Sequence, residues 1–300
     1  MNKRYLKLLF VSSLTIVMAG CGGETEENKE AIPQDDQPVI HDATPVGFGD
    51  QGSSTYTVPS PNELFSIIKE SKLPYREDLI STEPSIYTSS KDQALNFGRI
   101  TADIAYTASY EKFNESMSNF ENLRKIGDDL GISYVFDEIM VNRVKNNMNN
   151  ADSLEVISTN SYQRIISMLE ENEKGSTLAI IATGGYVESI YILTNLIGEY
   201  TANSPVIQRL ADEKIVMENV MDYLKMYEDE DRVQEVMKEL EPVSTLFLGL
   251  SEEKVSEDRK GEGNKMIFGG NRVIMNEADF NALKEAATNY RNSFANASQS

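Results

Sequence analysis

One histidine and one cysteine in 300 residues remove most metal and nucleophile chemistry, which turns attention to carboxylates, guanidinium groups and tyrosines. Asn96, Arg99, Asp103, Tyr106 and Tyr110 step by three or four residues, the spacing that sets side chains in one stripe along a helix. Gly184, Glu188, Tyr191, Asn195 and Gly198 repeat those steps inside the most apolar part of the chain. Two such stripes in otherwise apolar helices can line one internal cleft. A buried Asp103 or Glu188 then needs a cation such as Arg99, or it moves toward its neutral form. The candidate cluster is therefore Arg99, Asp103, Tyr106, Tyr110, Glu188, Tyr191 and Asn195.

Two readings of that cluster stay open. It lines a ligand site, or it is a structural network that fixes helix register. An outward-facing stripe is a further option for the Asp103 helix. Paired carboxylates of the glycosidase kind depend on a separation that sequence spacing does not supply, so no catalytic residue is assigned. No phosphate-binding glycine loop, calcium loop or serine nucleophile elbow occurs, and neither a metal site nor a cofactor is expected. His41 has no recognisable partner ligands and reads as a solvated linker residue. Glu228 to Asp231 and Ser251 to Lys254 read as solvated charge runs.

Positioning these stripes requires helices, and the periodicity supplies them. Long helices are expected from about Lys91 to Ser109, and on Phe113, Met117, Phe120, Leu123 and Ile126 with a stop at Gly131. The pattern continues from Ser133 to Met148, and Asp152 is placed to cap a helix that turns Leu154, Ile157, Ile165 and Leu169 inward. Residues 176–197 are apolar enough to suggest a membrane span, but Glu188, Asn195 and the Gly184-Gly185 pair near its middle point to a helix buried in protein. Gly98, Ala102, Ala105 and Ser109 form a small-residue face that permits close helix contact. Ser204-Pro205 opens a helix through Ile207, Leu210, Met217, Met221 and Leu224; the next, from about Arg232, is expected to break at Pro242. Apolar runs on either side of Gly269-Gly270 read as a small β-hairpin near residues 265–275, and Asn276 with Asp279 starts a last helix packing Phe280, Leu283 and Ala287. The expected fold is all-α, a multi-helix bundle or helical-hairpin array with one hairpin, over residues 61–300; Ser60 to Glu63 form a capping box at its start. Residues 21–60, rich in Glu, Asp, Pro, Gly, Ser and Thr, read as an acidic disordered tether.

Charge narrows the partners. The formal charge is −20, and loss of residues 1–20, which carry Lys3, Arg4 and Lys7 and no acid, makes it −23. Such a field repels phosphate backbones, so no nucleic-acid partner is expected.

The first 20 residues have a basic n-region ending at Lys7 and an uncharged apolar run from Leu8 to Met18, the plan of a secretory signal peptide. Met18-Ala19-Gly20-Cys21 resembles the lipobox of bacterial lipoproteins, with Met where Leu is usual. The resemblance implies lipidation of Cys21, with diacylglyceryl and palmitate-type chains, and attachment to the membrane through that lipid. Gly22, rather than Asp, after the cysteine implies the outer membrane, either its periplasmic face or the cell surface. Ala94-Leu95-Asn96-Phe97-Gly98, Thr101 to Tyr106, Tyr110, Leu130-Gly131-Ile132, Asp152-Ser153-Leu154 and Ala182 to Glu188 are similar to a group of helical Bacteroidetes lipoproteins with no assigned activity, in which Trp is expected in place of Tyr186. Asp152-Ser153-Leu154 also resembles the O-glycosylation acceptor of such exported proteins, against the simpler role of helix cap. Helix pairs around Tyr106 to Leu130 are faintly similar to tetratricopeptide hairpins, without a second copy at the repeat period. The function expected is a lipid-anchored helical binding or scaffold module of the cell envelope with an envelope protein partner. The alternative is a small-molecule-binding or enzymatic helical domain with a cleft around Asp103 and Glu188.

Overall fold

The apolar run near the middle of the chain becomes the helix round which the others are arranged. In the computed structural model the described residues are 72–80, 86–147, 150–254 and 271–296. The signal peptide, the tether, the capping box at Ser60 and the Gly269-Gly270 turn lie outside them. Among the described residues the fold is all-α with one two-stranded antiparallel sheet.

Helix α1 (Ser90–Ser109) starts on Ser89, whose Oγ accepts from Asp92 N at 3.0 Å. It packs antiparallel on α2 (Phe113–Asp129), and the chain then turns at Gly131, where φ is +66°. A 3-10 turn at Ser133–Val135 and α3 (Glu138–Asn146) follow, so the stretch expected to continue as one pattern to Met148 is split. The division falls at Asp137, whose carboxylate accepts from Met140 N at 2.7 Å and caps α3. Helix α4 (Ala151–Glu171) begins two residues earlier than expected: Asn150, not Asp152, caps it, accepting from Ser153 N at 2.9 Å. An N-cap side chain must reach the amide two or three residues on, and Asn150 is the one placed outside the first turn.

Helix α5 (Gly175–Ile197) is fully buried at all of its 23 residues except Tyr191, Asn195 and Ile197. It packs against α1, α4, α6 (Pro205–Asp212), α7 (Lys214–Lys225), α8 (Asp231–Leu248) and α9 (Glu277–Ala295). Its apolar length is therefore spent inside protein, with 94% of its most apolar window buried. Three of its hydroxyls are satisfied locally: Thr183, Ser189 and Thr194 each donate to the carbonyl four residues back, at 2.8 to 2.9 Å.

The broadest helix contact is between α1 and α5, and it is made backbone to backbone. A Cβ on Gly98 would overlap the carbonyl oxygen of Ile181 and lie 2.6 Å from Gly185 N, while one on Gly184 would overlap the carbonyl of Leu95. The small-residue face on α1 and the glycine pair on α5 are two halves of a single crossing.

Two further helix boundaries differ from the sequence reading. The helix opening at Pro205 is divided at Glu213 into α6 and α7. Conversely, α8 runs through Pro242 without ending. Pro242 and Lys238, four residues before it, are both exposed, so the missing amide frees a carbonyl on the solvent side, while Leu240, Val243 and Phe247 hold the opposite face in the core.

The hairpin also has a different partner. Strand β2 (Asn271–Ile274) lies in the expected segment but pairs with the charged β1 (Ser251–Lys254), Ser251 opposite Ile274 and Lys254 opposite Asn271. Lys214 fixes β1 through the carbonyl of Leu250 at 3.0 Å and the carboxylate of Glu252 at 2.8 Å. Every residue of β1 is exposed, so it carries no apolar alternation to read. The last helix starts as expected, with Asn276 and Asp279 bonding each other's backbone amides, and buries Phe280, Leu283 and Ala287.

The crossing makes a direct prediction. Gly98→Ala and Gly184→Ala should each cost about 3 kcal/mol by overpacking a backbone contact. Gly131→Ala, which has open space but a left-handed backbone, should cost only about 1 kcal/mol. Urea denaturation of the three variants measures the difference.

Candidate functional site

The polar stripe of α1 lies at the edge of its crossing with α5, where α9 closes the gap. Arg99 Nη1 donates to Asp103 Oδ2 at 2.9 Å, and both residues are buried, Asp103 fully. Arg99 Nε donates to Asn96 Oδ1 at 2.8 Å, and its Nη2 reaches the hydroxyl of buried Tyr87 at 3.4 Å. Asn96 Nδ2 in turn donates to the carbonyl of Phe294 on α9 at 2.9 Å, so the arginine's positioning residue ties two helices.

Glu188, in the middle of α5, has no exposed surface. Both its oxygens accept from Arg291 on α9, Oε2 from Nε at 3.0 Å and Oε1 from Nη2 at 3.3 Å. The Arg291 guanidinium also lies 4.8 Å from the ring centroid of Tyr191. This two-pronged pair joins α5 to α9. Arg291 was missed from sequence, although a signal existed: it follows Ala287 by four and precedes Phe294 by three, a cation on the inward face of its helix.

The electrostatics follow from burial. Desolvation first, and then the negative charge of Glu188, push the Asp103 carboxyl well above the usual carboxylate range, against the pull of Arg99 and Arg291. For Arg291, burial works against the charge, but the Glu188 carboxylate outweighs it and raises the guanidinium above its ordinary value. Asp103 Oδ1 meets no hydrogen-bond donor, although the side chain is within hydrogen-bonding reach of Glu188.

Tyr106 and Tyr110 lie farther along the stripe and do not join this cluster of charges. They pack with Tyr75, ring centroids 5.2 to 5.4 Å apart, under the segment 72–80. The Tyr106 hydroxyl accepts from Arg76 N at 2.8 Å and donates to the Arg76 carbonyl at 3.3 Å; Tyr110 donates to the Leu73 carbonyl at 2.6 Å. Burial pushes the Tyr106 hydroxyl up to about 12, so it remains a donor at neutral pH. Asn195 turns its amide back to the Tyr191 carbonyl at 2.8 Å and contributes only its own carbonyl, which accepts from Arg76 Nη1 at 3.1 Å. The sequence cluster thus separates into a closed set of ion pairs, Arg99, Asp103, Glu188 and Arg291 against Tyr191, and a tyrosine group covered by the chain itself.

Among the described residues no group of three or more His, Cys, Asp or Glu side chains could hold a metal ion. What the buried cluster does is hold three helices in register. Comparison with family models, with curated proteins and with solved structures gave no match.

The two carboxyls should respond differently to neutralisation. Glu188→Gln leaves Arg291 buried with half its acceptors and should cost about 3 kcal/mol. Asp103→Asn keeps the acceptor for Arg99 and offers Glu188 a donor, so it should stay within about 1 kcal/mol of the parent. Equilibrium denaturation of both variants at neutral pH checks this asymmetry.

Proposed function

We propose that the chain is a lipid-anchored helical binding or scaffold module of the bacterial cell envelope. It is attached to the membrane through lipid on Cys21, at the periplasmic face of the outer membrane or on the cell surface, and meets an envelope protein partner. The observation that carries this reading is the closure of the polar cluster. Arg99 and Arg291 pair with Asp103 and Glu188 within the protein, so those side chains are spent on architecture and leave the outer surface for interaction. The alternative, a small-molecule-binding or enzymatic domain around Asp103 and Glu188, needs a solvent path to two side chains that have no exposed surface. On the outside, Ile139, Ile215 and Met226 are large apolar side chains with more than half of their surface open.

Fractionation with in-cell crosslinking tests the proposal. The parent should sediment with membranes, and Cys21→Ser should move the chain to the soluble fraction, since a single thiol carries the lipid. A photo-reactive residue at 139, 215 or 226 should trap a discrete protein adduct in the parent only while Cys21 anchors it. Membrane retention that is unchanged in Cys21→Ser would contradict the anchor. Adducts that do not depend on Cys21 would contradict the envelope partner.

A further inference from the structure

Every nitrogen of Arg99 that faces the cluster is already committed: Nη1 to Asp103 Oδ2, Nε to Asn96 and Nη2 to Tyr87. Both oxygens of Glu188 are taken by Arg291. That leaves Asp103 Oδ1 fully buried without a donor, on a side chain within hydrogen-bonding reach of the Glu188 carboxylate. Two carboxylate oxygens repel each other unless a hydrogen lies between them. Full ionisation would match the two guanidiniums charge for charge, but it would leave that oxygen unsatisfied in a site closed to water, a costly arrangement.

We propose that Asp103 and Glu188 form a proton-binding site, in which one proton, carried on Asp103 and donated to Glu188, bridges α1 and α5 in the folded chain at neutral pH. The groups that face the pair are Arg99 and Tyr87 from α1 and the segment before it, Tyr191 from α5 and Arg291 from α9. Arg76 and Asp78 of the segment 72–80 act on Tyr191. With Asp103 protonated, the two guanidiniums exceed the Glu188 carboxylate by one positive charge; Arg291 also meets the Tyr191 ring face and Arg99 the hydroxyl of Tyr87.

The sign of the pH dependence follows. The folded chain holds this proton more tightly than the unfolded chain does, so its contribution to stability is fully present below the ordinary aspartate range and is lost as pH rises through the folded-state value. Asp103→Asn cannot ionise and should lack that decline.

Infrared spectroscopy of the full chain in D2O reads the proton directly, through the C=O stretching band of a protonated carboxyl above the amide I region. The band should be present at neutral pD, after exposed carboxylates have ionised, and absent in Asp103→Asn. It should also vanish in Glu188→Gln, because the carboxamide donates to Asp103 in the proton's place and lets it ionise beside Arg99. A parent spectrum without the band, or a band unchanged in Asp103→Asn, overturns the proposal. A band that survives in folded Glu188→Gln overturns the sharing, since Asp103 would then be protonated by burial alone. Should Glu188→Gln not fold, the parent and Asp103→Asn still decide, by the band and by whether stability falls with rising pH in the parent only.

Discussion

A carboxylate in the middle of a helix that is apolar on every side has to be met by a cation brought from another helix. Glu188 imposes that condition, and Arg291 satisfies it from α9 with both prongs of its guanidinium. The remaining features of the core follow from this pair. Helix α9 must lie alongside α5 at a fixed height, its Phe294 carbonyl then falls within reach of Asn96, and Asn96 orients Arg99 toward Asp103. Desolvating charged groups is expensive, and removing Glu188 or Arg291 leaves its partner stranded, so the cluster specifies register more than it adds stability.

The charges can be this close only because the helix backbones are. Gly98, Gly184 and Gly185 bring α1 and α5 into main-chain contact, which brings Asp103 near Glu188, both without exposed surface. Small residues on one face of α1 close the crossing, and Arg99 and Asp103 on the adjacent face are buried beside it. The tyrosines farther along α1 meet a different need. There the neighbour is the segment 72–80, helical only in the 3-10 turn Glu77–Leu79: the Arg76 amide donates to the Tyr106 hydroxyl, and the Arg76 and Leu73 carbonyls accept from Tyr106 and Tyr110.

Period and capping signals made most of the helices readable. The Asn276–Asp279 box, the stop at Gly131 and the burial of α5 all come from local rules that tertiary structure did not override. What was not readable depends on which face meets solvent. Pro242 breaks a helix on propensity, yet it is tolerated because the lost bond points outward while Leu240, Val243 and Phe247 are buried. The partner of β2 is a fully exposed charged strand held by Lys214, and no apolar pattern marks it. Of the candidate site, Arg99, Asp103 and Glu188 were legible as buried polar steps on helices. The pairing of Glu188 was not, because it joins residues 103 positions apart. Tyr75 was also missed, since it lies in a segment without periodicity.

A closed cluster of this kind makes its members energetically inseparable, and that is the quantity to measure. A double-mutant cycle of Glu188→Gln and Arg291→Met, followed by urea denaturation, isolates the coupling across α5 and α9. Removing both partners leaves Asp103 to ionise against Arg99, a pair that is neutral by itself. The double variant should therefore be more stable than the sum of the single losses by about 2 kcal/mol. Losses that add to within about 0.5 kcal/mol would contradict the claim that this buried ion pair fixes the fold.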